Sequence, residues 1–362
     1  MKIIKLNLGK RSYDIIIGDN AIKYLAGRLI KLNIGRDAYI ITNALINKKH
    51  GAKLKDALRK AGFNAKFKVV PDTEKSKSLA QVSLVINDIA RFDNKKRSFI
   101  IAFGGGVIGD LAGFVASIYK RGVAYIQVPT TLLAQVDSGI GGKTAVDLAE
   151  AKNLIGAIYQ PKLVLSDVRL LNTLNIRQIR CGFAEVIKYA IIKDAQLFSY
   201  LEKKHKDILN LKPQTLEYII KRCSEIKARI VEIDEREEKG ARTILNFGHT
   251  VGHAIEAAAG YEAYNHGEAI CLGMLVAADI SRRLGLIDIF LLRRIEELVK
   301  KTGLPARIKH VPINSILNAH YRDKKFIGKR NRFVLIEGLG KTRIVENIPL
   351  EVIRQAIAKR IF

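Results

Sequence analysis

The sequence predicts an α/β protein: an N-terminal Rossmann-like parallel-sheet domain, then a mostly α-helical domain for metal and substrate. Three observations carry that expectation. Strand and helix patterns alternate through the first half, as they do in doubly wound sheets. A glycine-rich turn, Gly104–Gly109, joins an apolar strand to a helix. After Pro161 and one more strand the chain turns helical, and Asn246–Glu268 holds three of its seven histidines. The boundary falls at 167/168, giving domains 1–167 and 168–362.

Taken in order, Met1–Leu8 and Ser12–Ile17 alternate around Gly9-Lys10 and read as a hairpin. Ala38–Thr42, Ala65–Val70, Ser98–Phe103 and Ala124–Val128 are short apolar strands, the mark of buried parallel pairing. Between them, Asn47–Ala61 and Ser76–Ala90 read as helices, and a third runs from the glycine turn through Tyr119. Such sheets bind ligands beyond the carboxyl ends of their strands. Leu163–Ser166 closes this half. Phe183–Ile192 and Leu216–Glu237 follow as helices, and Arg332–Ile336 reads as a late strand.

The turn satisfies G-x-G-x-x-G through Gly104, Gly106 and Gly109, in strand–loop–helix context. Glycine admits a pyrophosphate to the backbone, and the helix start offers unpaired N–H groups. The motif follows a later strand than the usual dinucleotide fingerprint. Lys120 and Arg121 stand where that fingerprint expects an acid. Pro71–Lys77 leaves another strand at the same sheet edge and offers polar contacts or helix capping. Gly141-Gly142-Lys143-Thr144 resembles the tail of a P-loop, but Asp137 occupies the first glycine position, which excludes that nucleotide-hydrolase motif. What remains is a glycine-rich loop carrying Asp137, Lys143, Lys152 and Asn153, suited to an anionic ligand.

His249 and His253 are four apart and share a helical face, and His266 follows beyond Gly260. Imidazoles edged by Glu256, Glu262 and Glu268 suit zinc and its neighbours. Thr250 and Val251 exclude the H-E-x-x-H protease pattern. The residues alone leave open which imidazoles bind and which serves as acid, base or hydrogen-bond partner. Glu185, three before Lys188 in an apolar helix, needs a partner or a metal and is a candidate third ligand. Arg242, ahead of His249, suits a phosphate or carboxylate. The basic run Asp323-Lys324-Lys325 could close over an anion.

Composition bounds the rest. The net charge of +27 comes from basic residues spread among acids, with no nucleic-acid motif, so small anions rather than nucleic acid are expected. No apolar run reaches membrane-spanning length, and Met1–Leu8 lacks a signal core. Cys181, Cys223 and Cys271 are odd in number and far apart, as in a reducing compartment. A cytoplasmic location is the expectation.

From Pro71 to Lys325 the chain resembles the 3-dehydroquinate synthase family of sugar phosphate cyclases. The resemblance rests on Gly104–Gly113, Arg121-Gly122, Pro129–Ala134, Asp137–Lys143, Lys152-Asn153, Glu185–Lys188, Asn246–Glu256 and His266–Ala269, in order. It implies NAD held by Asp72, Glu74, Lys75, Lys77, Gly105, Gly106, Val107, Ile108, Gly109 and Asp110. Thr130, Thr131, Asp137, Lys143, Lys152, Leu170 and Thr173 complete that expected cofactor set. It implies a divalent metal, zinc or else cobalt, on Glu185, His249 and His266, with His253 left for proton transfer. Implied substrate contacts are Arg121, Asp137, Lys143, Asn153, Lys188, Arg242, Asn246, His253, Lys324 and Lys325. Arg121 would reach the phosphate from the partner subunit of a homodimer. Lys152, Glu185, Lys188, Arg242, Asn246 and His253 would be catalytic.

The reaction so implied converts 3-deoxy-D-arabino-heptulosonate 7-phosphate to 3-dehydroquinate and phosphate, in the shikimate pathway. It runs by transient NAD oxidation, β-elimination, re-reduction, ring opening and aldol closure, so the enzyme is a lyase. The alternatives are another sugar phosphate cyclase or a metal- and NAD-dependent polyol dehydrogenase of the glycerol dehydrogenase type. A nucleic-acid-binding protein could rest on the charge alone. The departures are Gly139, where the family often has Ser, the stretch Leu174–Gln178, and Arg180-Cys181.

Overall fold

The computed structural model describes residues 1–362 apart from 72, 94–96, 149–150, 261 and 323–330, and apart from the side chains of 320–322. The chain forms two compact units, Met1–Asn175 with Leu216–Arg236, and Ile176–Thr215 with Glu237–Phe362. A single cut at 167/168 is thus replaced by crossings after Asn175, Thr215 and Arg236. The cause is the helix Pro213–Ile233, whose buried stripe Leu216, Ile219, Ile220 and Cys223 belongs, from Leu216 on, with the sheet unit. Amphipathic spacing says that a face is buried, not which core buries it.

The first unit holds β1 (Lys2–Leu6), β2 (Tyr13–Gly18), β3 (Asp37–Thr42), β4 (Asn64–Val69), β5 (Ser98–Gly104), β6 (Tyr125–Pro129), β7 (Lys143–Val146), β8 (Ile155–Ile158) and β9 (Leu163–Asp167). Seven of these make one sheet in the order β1-β2-β9-β6-β5-β3-β4, with β1 antiparallel to β2 and the other pairs parallel. Side chains alternate between two cores. Ala38, Ile40, Phe99, Ile101 and Phe103 face one, with Leu54 and Leu58. Tyr39, Ile41, Ile100 and Ala102 face the other, with Ile108, Leu111 and Val115. Helices therefore cover both faces, which is why these strands read as continuous apolar runs.

Gly104 at the end of β5 pairs in register with Pro129 at the end of β6. The glycine turn and Thr130-Thr131 consequently leave one sheet edge side by side. The stretch after Asp137, expected as a loop, contains an antiparallel hairpin in which Lys143 faces Ile158 and Val146 faces Ile155. Its alternating burial on β7 is the two-residue period of a half-covered strand.

In the second unit, helices Ile176–Lys193, His249–Ala258 and His266–Arg283 carry the histidine window and its candidate carboxylate. A hairpin of β10 (Arg332–Gly338) and β11 (Lys341–Glu346) accompanies them. The last two of those helices approach through glycines. A Cβ at Gly273 would sit 2.0 Å from the Gly248 carbonyl oxygen, and one at Gly252 would sit 2.7 Å from Ile270 Cδ1. Gly248 also takes φ +80, open to glycine but strained for other residues.

Candidate active site

That glycine contact sets the candidate metal cluster of the second unit. Gly248 caps the helix His249–Ala258, so His249 projects from its first turn. His266 opens the next helix, behind Asn265. A capping box fixes that start: Asn265 Oδ1 accepts the Glu268 N–H at 2.9 Å and Glu268 Oε2 accepts the Asn265 N–H at 3.0 Å. Arg177 holds the same Glu268 carboxylate at 2.7 and 2.8 Å, so this acid serves the helix start. Cys181 adds a contact next door, its sulfur accepting the Gly267 N–H at 3.2 Å.

Glu185 lies fully buried in mid-helix. Its Oε1 is 3.6 Å from His249 Nε2 and 3.6 Å from His266 Nε2. Ligand atoms of a tetrahedral zinc with bonds of about 2.0–2.1 Å lie roughly 3.4 Å apart. The three expected metal ligands therefore already stand near the spacing a metal requires, and the donor set fits. His253 is exposed, its ring centroid 5.3 Å from that of His249 and 6.1 Å from that of His266. Lys188, one turn beyond Glu185, is buried, with Nζ 2.5 Å from Glu185 Oε2. The surface ion pair that spacing alone would suggest is thus an interior one.

Electrostatics separate the two imidazoles. Burial, then the Lys188 ammonium, holds His249 well below the usual histidine range. Burial opposes the charged form of His266 as well, but Glu185 and Glu256 outweigh it and lift it to about 10. Arg242 is buried, its Nε 3.5 Å from Glu237 Oε1, and it is the second residue of the turn Ala241–Asn246, which ends in Asn246.

The cofactor candidates belong to the first unit. The helix Gly106–Ile118 begins at Gly105 with no side-chain cap, which leaves its first N–H groups for an anion. A Cβ at Gly105 would lie 3.0 Å from Thr131 Cγ2, and one at Gly106 3.2 Å from Ser138 Oγ. Thr130 donates its N–H to the Gly104 carbonyl at 2.9 Å. The Ser138 hydroxyl is buried and has no hydrogen-bond partner among the described residues. An orphaned hydroxyl beside a bare helix start fits a dinucleotide phosphate or ribose.

Lys77, one of the expected cofactor contacts, is enclosed by polar partners. It is buried, 2.9 Å from Asp110, 3.5 Å from Glu74 and 3.9 Å from Asp147, and it donates to Asn153 Oδ1. It joins the Glu74–Ser76 turn, the glycine helix and the segment holding Asn153, whose backbone takes φ +53. Burial pushes the Asp110 carboxyl up to about 6 against the pull of Lys77. Leu170 packs in the sheet core, and its carbonyl accepts the Thr173 hydroxyl at 3.0 Å. Val107 is half-buried, and Ile108 is core. Glu74, Lys75, Arg121, Lys143 and Lys152 are exposed. Asp72, Lys324 and Lys325 lie outside the described residues.

Sequence reasoning missed Lys227, which is buried and holds both the carbonyl oxygen (2.7 Å) and the carboxylate of Asp137. A lysine on the apolar stripe of an amphipathic helix was the available signal. Gly139 is explained as well, since a Cβ there would meet the Ala134 carbonyl oxygen at 2.7 Å.

This architecture is that of the sugar phosphate cyclases. A structure of 2-deoxy-scyllo-inosose synthase with carbaglucose-6-phosphate, NAD+ and Co2+ is similar at TM-score 0.89 and 26% identity, over 99% of this chain and 100% of that one. One of 2-epi-5-epi-valiolone synthase from Streptomyces hygroscopicus subsp. jinggangensis, with NAD+ and Zn2+ bound, is similar at TM-score 0.88 and 26% identity, over 99% of both chains. Within that class, the 3-dehydroquinate synthase N-terminal model matches residues 67–181 and the C-terminal model residues 182–326. The 3-dehydroquinate synthase of Caldanaerobacter subterraneus subsp. tengcongensis is 46% identical over 346 residues, 95% of this chain and 97% of that relative. The chain belongs to the 3-dehydroquinate synthase family.

Proposed function

We propose that this chain converts 3-deoxy-D-arabino-heptulosonate 7-phosphate to 3-dehydroquinate and phosphate, as an NAD- and divalent-metal-dependent lyase of the shikimate pathway. The observation that carries the reading is the buried carboxylate Glu185 facing His249 and His266 Nε2 at equal distance, with Lys188 beside it.

Glu185, His249 and His266 would hold the metal, which when bound acts as a Lewis acid on a substrate alcohol. The glycine turn with Thr130, Thr131 and the backbone at Leu170 would hold NAD, which takes up a hydride and gives it back, so no net oxidation occurs. His253, exposed beside the ligands, moves protons, and Asn246 orients the group that gains or loses them. Lys152, Lys188 and Arg242 fix carboxylate and phosphate, and Arg121 adds a phosphate contact from the partner in a homodimer. Asp137, held by Lys227, and Asn153 place hydroxyls. Cys181, Cys223 and Cys271 are free thiols, which suits the reducing cytoplasm.

The likeness to 2-deoxy-scyllo-inosose synthase supports a second reading, another sugar phosphate cyclase. Phosphate release with catalytic NAD decides between them. Release is expected from the heptulosonate phosphate, with little from glucose 6-phosphate or sedoheptulose 7-phosphate. Stoichiometric NADH accumulation would instead indicate a polyol dehydrogenase.

A further inference from the structure

His249, His253 and Glu256 are spaced four and three apart, so one face of the helix His249–Ala258 presents all three. The reading above uses the first two. Glu256 is 8% exposed, and a carboxylate taken that far out of water needs a polar partner. Its Oε2 lies 3.6 Å from His266 Nδ1, on the opposite edge of the ring from the Nε2 that faces Glu185 at 3.6 Å. His266 thus stands between two carboxylates from two helices.

The other imidazole shows the same pattern with a different partner. His249 Nδ1 is 3.2 Å from the Phe247 carbonyl oxygen, while its Nε2 faces Glu185. A neutral imidazole has one N–H, and the nitrogen that ligates must be bare. Both rings have an acceptor on the Nδ1 side and Glu185 on the Nε2 side. The two differ in exposure, 33% for the His266 side chain against 11% for His249, so His266 has more room to turn away. Its place at the head of the helix is fixed by Asn265, but a helix start does not fix the rotation of a ring.

We infer that Glu256 is a positioning residue for His266, accepting its Nδ1–H and so presenting Nε2 to the metal. The inference rests on the assignment of Glu185, His249 and His266 as ligands. Outer partners of this kind set ligand orientation and basicity, and their loss typically weakens metal binding 10–100-fold.

The test is cobalt titration of the metal-free full chain against a competing chelator, with visible absorption as a second readout, in wild type, Glu256→Ala, Glu256→Gln and Glu185→Gln. One Co2+ per wild-type chain is expected, and none in Glu185→Gln. Affinity should fall roughly 10–100-fold in Glu256→Ala, with an altered cobalt spectrum. Glu256→Gln, whose amide oxygen still accepts an N–H, should recover most of both and keeps the test open should Glu256→Ala fail to fold. Wild-type affinity and spectrum in Glu256→Ala, with Glu185→Gln empty, overturn the inference and leave the ligand assignment standing. A second Co2+ in wild type that is lost in Glu256→Ala also overturns it, making Glu256 a ligand of another ion with His253 and His266. Failure of wild type to hold Co2+ overturns the ligand assignment itself, and the inference with it.

Discussion

Lys188 Nζ lies 2.5 Å from Glu185 Oε2 in the interior of the second unit, so the carboxylate that faces two histidines is also half of a buried ion pair. Removing one partner of such a pair leaves a charge in a low-dielectric interior. Lys188→Met should therefore destabilise the metal-free protein by about 3–5 kcal/mol. A divalent metal replaces the missing positive charge, so it should raise the melting temperature of the variant more than that of wild type. Equal metal-induced shifts in calorimetry would contradict this.

Glu185→Gln and His266→Ala should each abolish tight metal binding and activity while the circular dichroism spectrum stays that of wild type. Metal analysis after gel filtration checks this. A variant that retains stoichiometric metal removes that residue from the ligand set.

His266 in the metal-free protein is held up to about 10, above its ordinary 6.5, by Glu185 and Glu256 working against burial. A raised folded value means that its stabilisation is full below pH 6.5 and is lost as pH rises through about 10. The metal-free protein should therefore lose melting temperature across that window. Metal must displace the same proton, so apparent metal affinity should climb roughly tenfold per pH unit between 7 and 9. His249, held low by burial, adds no second proton. Calorimetry in buffers of different ionisation enthalpy should report one proton released per metal.

Gly273→Ala puts a methyl group 2.0 Å from the Gly248 carbonyl and 2.7 Å from the Gly252 nitrogen. The helices must part, at a cost of about 1–3 kcal/mol or more. Because His249 and His266 ride on these two helices, metal affinity should drop along with the urea midpoint. A destabilised variant with unchanged affinity would show that the ligand spacing does not depend on this contact.

Much of this was legible in the residues. The parallel strands announced themselves as apolar runs because both sheet faces are covered, and the glycine turn stood out by its place between strand and helix. The pairing of Glu185 with two imidazoles was foreseeable from an acid in an apolar helix, although the choice of His266 over His253 came from family resemblance. Other features had no local signature. The hairpin Lys143–Val146 with Ile155–Ile158 hid inside a glycine-rich stretch because short, half-covered strands look like loop. The ion pairs that bury Lys77 could not be read locally, because Asp110 and Asp147 are distant from it in sequence. Lys227 stood out only as a lysine on an apolar stripe, and its partner Asp137, 90 positions earlier, could not be read locally.

The return of Leu216–Arg236 to the first unit has a consequence for anyone dissecting this protein. A gene truncated after Asn175 would still encode every strand of the large sheet, and would look like a self-sufficient nucleotide module. It would nevertheless strip Lys227 from Asp137, Glu232 from Asn7, and Glu235 from both Arg11 and Gln160. Neither half of this enzyme can be expressed by a single cut without taking a structural beam from the other.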